Sequence, residues 1–133
     1  MDTGGTVNGG GGRAIDVAVL LDRCMDDAAL ALKVLKVFED QTAETLKGLE
    51  RCAKLGAGAT PVEEAARRAH ALRGSAGAIG ANGLFDVATK LEEAAHAGTV
   101  QAAEKLAMEV AAELRRCVEC MPSVKSELAP RVG

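Results

Sequence analysis

The sequence predicts an all-α protein, an antiparallel four-helix bundle with a short extra N-terminal helix. After residue 13 the chain is dominated by alanine, leucine, valine, glutamate, lysine and arginine, and it lacks β-branched runs flanked by hairpin signals. Apolar residues recur at helical spacing in long segments with short breaks between them. Four such helices pack most simply as an antiparallel bundle. Aromatic residues make up only 2% of the 133 residues, so we expect an aliphatic core.

The two ends of the chain are predicted to be tails. Residues 1–13 are rich in glycine and nearly devoid of apolar side chains, which is typical of a flexible segment. The bundle domain is predicted over residues 14–122, beginning with a short helix from about Ile15 to Leu21. Pro122 should end the last helix, because proline cannot continue the helical hydrogen bonding, and this leaves residues 123–133 as a C-terminal tail.

The first long helix begins after Asp26 and Asp27, whose carboxylates suit a helix N-terminus through capping and charge. It extends to Leu55, either as one helix or as two with a bend near residues 40–42. We expect its apolar side chains to face the core. They are Leu30, Val34, Val37, Phe38, Leu46, Leu49, Cys52 and Ala53.

The next helix has the best-defined start in the sequence. Residues 56–58, Gly-Ala-Gly, end the preceding helix, and Thr60 is then predicted as N-cap, with Pro61 at the first helical position and Glu63 completing a capping box. The helix runs to about Gly80. The residues with core character on it are Val62, Ala65, Ala69, Leu72, Ala76 and Ile79.

The last two helices are separated by Gly98, which ends one of them, and Thr99, which caps the other. Asn82 and Gly83 interrupt the helical pattern before the first of the two. His96, in the turn before Gly98, is predicted to interact with the free carbonyls of the helix end. The two apolar stripes are Leu84, Val87, Leu91, Ala94 and Ala95, and then Val100, Ala103, Leu106, Val110, Leu114 and Val118.

One histidine stands on a face without large side chains. At ~100° per residue, His70 lies about 130° from the apolar stripe of its helix. The residues that share its face, within about 40° of it, carry no side chain larger than a methyl group. They are Ala66, Gly74, Gly77 and Ala81. Glycine costs a helix interior roughly 0.5–1 kcal/mol relative to alanine, so two glycines beside an exposed histidine favour a surface that another macromolecule approaches closely.

The segment around His70 resembles the phosphoacceptor segment of the histidine-containing phosphotransfer (Hpt) domains of two-component phosphorelays. That segment reads His, any residue, Leu, Lys or Arg, Gly, Ser, and residues 70–75 fill it in order. The resemblance covers roughly Ile15 to Met121. Further similar residues stand at Ile15–Asp16, Asp26–Asp27, Ile79–Gly80–Ala81 and Leu91–Glu92–Glu93. Arg73 replaces the more frequent lysine, which keeps the charge and changes its geometry.

This resemblance implies a relay. His70 would accept a phosphoryl group on Nε2 from a receiver-domain aspartate of a hybrid sensor histidine kinase and pass it to the receiver of a response regulator. Arg73 would neutralise phosphoryl charge, and Gly74 would leave room for the receiver. Glu92 matches a carboxylate that, in the histidine domain of chemotaxis kinases, bonds the other imidazole nitrogen; the alternative is a solvated surface glutamate. Arg67 adds positive charge near the docking face or is simply solvated.

The rest of the sequence narrows the class of protein. The net charge of −3 has both signs interspersed, which argues against nucleic-acid and membrane-surface binding. No apolar run suits a secretory signal or a membrane span, so we expect a cytoplasmic protein. Cys117 and Cys120 form a C-x-x-C that we interpret as packing on one helix face rather than as a zinc site. A monomer is expected, since one bundle uses up the apolar stripes.

The functional alternatives come from other classes. An adaptor that docks receiver or kinase domains without being phosphorylated needs the small-residue surface but not the imidazole. A metal-dependent helical bundle needs inward-facing Glu-x-x-His pairs, and only one occurs, at residues 93–96. Nothing in the chain suits a nucleotide-binding domain, so we expect a covalent carrier and not an enzyme. No cofactor is expected on this chain, and Mg²⁺ is expected on the partner receiver.

Overall fold

A computed structural model of the chain describes residues 13–53 and 59–132. Within these ranges the chain is all-α, as the sequence predicts, and forms a four-helix bundle with an additional short helix at its N-terminal side. A 3₁₀ turn, Ala129–Arg131, follows the last helix. The α-helices are α1 Val17–Arg23, α2 Ala28–Ala53, α3 Ala59–Ile79, α4 Asn82–His96 and α5 Val100–Leu128.

The four long helices pack in the cyclic order α2, α3, α4, α5, with α5 closing against α2. Contacts across the α2–α5 pair show that these helices are antiparallel. Cys52 near the end of α2 lies 3.9 Å from the carbonyl oxygen of Ala103 near the start of α5. Glu39, earlier in α2, accepts a hydrogen bond of 2.7 Å from Lys125 near the end of α5. The bundle therefore has the up-and-down arrangement that short loops favour.

The core is aliphatic apart from one aromatic ring, Phe38, and it is continuous through all five α-helices of the described residues. This confirms the composition argument. The inner face of α3 is buried as predicted, at Val62, Ala65, Ala69, Leu72, Ala76 and Ile79. The largest fully buried side chains include Ile15, Leu20, Leu35, Leu49, Leu84, Leu91, Leu114, Met121 and Leu128.

The core stripe of α2 differs from the predicted one. Leu30 and Val37 are 37% and 57% exposed, whereas Ala31 and Leu35 are fully buried. The helix is rotated so that two apolar residues of the predicted stripe face outward. It is a single helix, and the carboxylate of Asp27 caps it by accepting from the backbone N–H of Leu30 at 3.1 Å.

The prediction that the last helix ends at Pro122 is wrong. Helix α5 continues to Leu128, so residues 123–128 belong to the bundle and not to a tail. Proline inside a helix costs about 3 kcal/mol, because it removes one N–H donor and crowds the preceding turn. Val124 and Leu128 are fully buried, and burial of such side chains stabilises by about 1.5–3 kcal/mol each, which offsets that cost.

Helix α1 packs beside the turn that connects α3 to α4. The Asp16 carboxylate caps α1 by accepting from the backbone N–H groups of Ala18 and Val19. The backbone N–H of Asp16 donates to the Gly80 carbonyl at 2.9 Å. Gly80 has φ +72°, and a Cβ there would lie 2.6 Å from the Asp16 carbonyl oxygen. Only glycine fits this turn, which ends α3 at Ile79 and fixes the orientation of its outer face.

Several boundaries shift from their predicted positions. Helix α1 begins at Val17, two residues later than expected, and α3 begins at Ala59, so Thr60 is its second residue and not its N-cap. Asn82 starts α4, because the break lies at Gly80 and Ala81. Gly98, with φ +75°, separates α4 from α5 as predicted. Residues 1–12 of the tail predicted over residues 1–13, and the Gly-Ala-Gly segment at 56–58, lie outside the described residues.

Candidate functional site

His70 lies on the outer face of α3, halfway along the helix. Its neighbours in sequence, Ala69 and Leu72, point into the core, and this anchors the α3 backbone beneath the imidazole. The His70 side chain itself is 75% exposed. The His70 side chain is therefore accessible to a partner, while the helix backbone that carries it is held in place by the core.

Glu92 reaches His70 from the adjacent helix, α4. Its Oε2 lies 2.8 Å from Nδ1 of the imidazole, and its side chain is only 14% exposed. The two residues are 22 positions apart, and the antiparallel packing of α3 on α4 brings them together. The contact matches the geometry predicted for Glu92, which is a partner of the imidazole and not a solvated surface glutamate.

The charge state of Glu92 determines which nitrogen carries the proton of the neutral His70 ring. A hydrogen bond from Arg73, and after it one from His70, lowers the pKa of Glu92 below its ordinary value, although partial burial opposes this. The carboxylate is therefore ionised near neutral pH and can only accept. We assign the proton of the neutral imidazole to Nδ1, which donates to Glu92. Nε2 then carries the free lone pair and has no hydrogen-bond partner among the described residues.

Arg73 contacts Glu92 rather than projecting beside the imidazole. Its Nη1 donates to Glu92 Oε1 at 2.7 Å, and the guanidinium carbon lies 5.5 Å from the centre of the Phe85 ring. Nε is buried and has no hydrogen-bond partner in the part of the chain that the structure describes. Stacking and ion pairing together place Arg73 as the group that orients Glu92. The sequence pattern gave no indication of this contact.

The surface around His70 is open, as the small side chains predict, with one exception. A Cβ added at Gly74 or Gly77 would meet nothing within 4 Å, so packing inside this molecule does not require either glycine. Ala66 is half-buried and Arg67 is exposed on the same side of α3. Ala81 was predicted on this surface but is fully buried, because α3 ends before it and the chain turns inward at Gly80.

A groove beside this surface was not found by sequence reasoning. It lies between α2 and α3, has a volume of about 590 Å³, and is lined partly by Gln41, Arg67, Ala71 and Ser75. The exposed Leu30 and Val37 lie on the same side of α2 as Gln41. Val37 follows Leu30 by seven residues and Gln41 follows Val37 by four, and both spacings return a helix to the same face. The signal was present in the α2 pattern, which holds more apolar positions than one buried stripe needs.

The other candidate groups lie apart from this surface or at its edge. His96, in the last turn of α4, has Nε2 3.8 Å from Oε2 of Glu92. Cys117 is buried, which raises the pKa of its thiol to about 12, and Cys120 donates to the Cys117 carbonyl at 3.4 Å. Burial also raises the pKa of the Cys120 thiol, so both cysteines remain thiols at neutral pH.

A metal site needs converging ligands and a membrane span needs a long apolar helix, and residues 13–53 and 59–132 bear on both. In that part of the chain no three His, Cys, Asp or Glu side chains converge in a way that would hold a metal ion. None of its helices combines the length and the apolarity that crossing a bilayer requires.

Comparison with known families gives one result. The model of the family described as Hpt domain matches residues 33–120, about two thirds of the chain. The match includes α3, α4, His70, Arg73 and Glu92. Comparisons with curated proteins and with solved structures give no match.

Proposed function

Because this chain belongs to the Hpt domain family, we propose that His70 carries a phosphoryl group between receiver-domain aspartates. Hpt domains have a phosphotransfer role in two-component signalling, where they act as carriers that interact with receiver domains and histidine kinases. The observation that supports His70 most directly is the state of its ring. Nδ1 is engaged by Glu92 while Nε2 is exposed and unpaired among the described residues, so one nitrogen is available as a nucleophile.

The transfer step uses the two ring nitrogens of His70 differently, Nε2 as the nucleophile and Nδ1 as the hydrogen-bond donor to Glu92. The Nε2 lone pair attacks phosphorus of a receiver aspartyl phosphate, the P–O bond to the aspartate breaks, and the aspartate leaves as a carboxylate. The imidazole keeps its Nδ1 proton and becomes a positively charged phosphoimidazolium ring. Glu92 stabilises that positive charge through the same hydrogen bond, and the reverse step delivers the phosphoryl group to a second receiver.

Arg73 supports the step mainly through Glu92. Its hydrogen bond to Oε1 holds the carboxylate so that Oε2 faces the imidazole. The guanidinium also brings a permanent positive charge to the edge of the site, where an incoming phosphoryl group carries negative charge. The proposal that Arg73 touches the phosphoryl oxygens directly requires its side chain to move from the position it occupies here.

The docking surface is proposed to include Ala66, Arg67, Gly74 and Gly77. The open space above the two glycines lets a receiver approach the α3 backbone, and the exposed Arg67 offers a cation to the acidic site of a receiver. The exposed apolar side chains of Leu30 and Val37 extend this surface across α2. Donor and acceptor are proposed to be a hybrid sensor kinase and a response regulator, with Mg²⁺ bound by the receiver and not by this chain.

The test is phosphoryl transfer from a phosphorylated receiver, with Mg²⁺, to the wild-type chain and to His70→Gln. The expected result is acid-labile label on the wild type, mapped at alkaline pH to the peptide that contains His70, and no label on the variant. Since His70 is largely exposed, the variant should fold as the wild type does, which far-UV circular dichroism checks. Label that persists on His70→Gln would contradict the proposal. Binding of receivers without label from any of a broad panel would favour the docking adaptor.

A further inference from the structure

One contact of Glu92 has no role in the proposed function. Oε1 of this carboxylate accepts from Arg73, and Oε2 accepts from Nδ1 of His70 at 2.8 Å. The same Oε2 lies 3.8 Å from Nε2 of His96, which follows Glu92 by four residues and so shares its face of α4. Two imidazole groups therefore lie within 4 Å of one carboxylate oxygen. Only His70 is the proposed phosphoacceptor.

We propose that His96 is a positioning residue that controls how fully Glu92 serves His70. The inference rests on the proposed function, because it assigns a control to the His70 reaction. When His96 is neutral, Oε2 of Glu92 accepts its hydrogen bond from the Nδ1–H of His70 without competition. Protonated His96 attracts the same oxygen and weakens the acceptor behind His70, so transfer onto Nε2 slows at mildly acidic pH more than the protonation of His70 itself dictates.

The charges around Glu92 are consistent with competition between the two imidazoles. Helix α3 contributes His70 and Arg73, and α4 contributes His96 and the exposed Glu93 beside Glu92. Helix α5, which also packs on α4, contributes no ion pair to this carboxylate within the described residues. Arg73 stays charged throughout, whereas imidazole groups change charge between pH 5 and 8. Only the two histidines therefore alter the balance at Glu92 over that interval.

The position and exposure of His96 allow it to approach Glu92. The residue lies in the last turn of α4, at the negative end of the helix dipole. Its side chain is 74% exposed, so it can turn toward Glu92 without displacing a packed neighbour.

The test compares single-turnover transfer rates from pH 5.5 to 8.5 for the wild type, His96→Gln and His96→Lys. In each protein the neutral fraction of His70 is measured by NMR titration. We expect the wild-type rate near pH 6 to fall about two- to fivefold below the value that this fraction predicts, the range of a partly exposed ion pair. His96→Gln should follow the fraction, and His96→Lys, charged at every pH, should be slow even at pH 8. Lys90→Gln, which removes an exposed cation of α4 that is unpaired among the described residues, is the matched control and should behave as the wild type.

The alternative outcomes separate this inference from the proposed function. Rates that follow the neutral fraction of His70 equally in the wild type and in His96→Gln would overturn the role of His96. Absence of label on every protein would overturn the proposed function, and the ¹⁵N shift of His70 Nδ1 would then decide the inference alone. A shift that responds to His96 protonation in the wild type and not in His96→Gln supports the shared carboxylate, and an unresponsive shift refutes it.

Discussion

Two glutamates in this bundle each join two helices through a pair of basic side chains, yet only one of the clusters suits chemistry. Glu64 on α3 accepts two hydrogen bonds from Arg51 of α2, at 3.0 and 2.6 Å, and one from Arg68 at 3.2 Å. Glu92 on α4 accepts from Arg73 and His70 of α3. Both clusters bridge neighbouring helices at the surface, so they are similar as structural contacts.

The difference lies in the second cation and in the nearest glycine. Both partners of Glu64 are guanidiniums, which keep their protons, and Gly48 opposite them leaves the room that Arg68 occupies. One partner of Glu92 is an imidazole with a free nitrogen, and the space over Gly74 stays open. The Glu92 cluster is therefore the candidate reaction centre, because one of its basic groups, the His70 imidazole, can lose its proton and the space beside that imidazole is open.

The largest expected effect separates the two carboxylates by function. Glu92→Gln should slow phosphoryl transfer to His70 roughly tenfold to a hundredfold, because a hydrogen bond to a charged group is worth about 1.5–3 kcal/mol and the amide no longer stabilises the phosphoimidazolium. Glu64→Gln, the matched control, removes the same charge from a cluster without histidine and should leave the rate near the wild-type value. Single-turnover transfer at pH 8 measures both. Equal slowing in the two variants would mean that the effect is one of general stability.

A second prediction concerns what the clusters share. The pKa of Glu64 is lowered, chiefly by the hydrogen bond from Arg51, as that of Glu92 is by Arg73. A carboxylate with a lowered pKa in the folded state stabilises the fold above its unfolded pKa of about 4.3, and this contribution is lost as the pH falls through the lower, folded value. Urea unfolding of wild type, Glu64→Gln and Glu92→Gln should therefore give stabilities that differ at pH 6 and converge toward pH 3. A constant difference would contradict the pKa directions.

The smallest effect distinguishes the two glycines. Gly74→Ala should raise the free energy of unfolding by about 0.5–1 kcal/mol, because alanine is the better helix former and its methyl group meets nothing. Gly48→Ala should give no such gain, since the new Cβ would lie 2.8 Å from Nε of Arg68 and 3.2 Å from a Glu64 oxygen. Urea titration at pH 7 compares the two, and equal gains would show that Arg68 moves aside freely.

The features that depend on local pattern could be predicted from the sequence. The all-α bundle follows from helical periodicity, the exposure of His70 follows from its angle to the α3 stripe, and the break at Gly98 follows from its backbone freedom. The contact between His70 and Glu92 was predicted through the family resemblance, because nothing in the spacing of 22 residues sets the distance between two helices.

The features that depend on tertiary packing could not be predicted. Pro122 is a strong local signal for a helix end, but burial of Val124 and Leu128 outweighs it. The rotation of α2 that exposes Val37 is decided by the summed packing of its neighbours and not by its own periodicity. The orientation of Arg73 toward Glu92 and Phe85 depends on where α4 lies, which its own helix does not specify.

The segment before α2 and the last turns of α5 decide which part of this chain could be transplanted into another protein. The first is tied to the end of α3 by the Asp16–Gly80 backbone hydrogen bond. The matched family span, 33–120, omits α1, the start of α2 and the end of α5. Ile15, Leu20, Val124 and Leu128 lie outside that span and are fully buried. A chimera that transplants only the matched span would expose the apolar surface these residues cover, so the portable unit extends from Arg13 to at least Leu128.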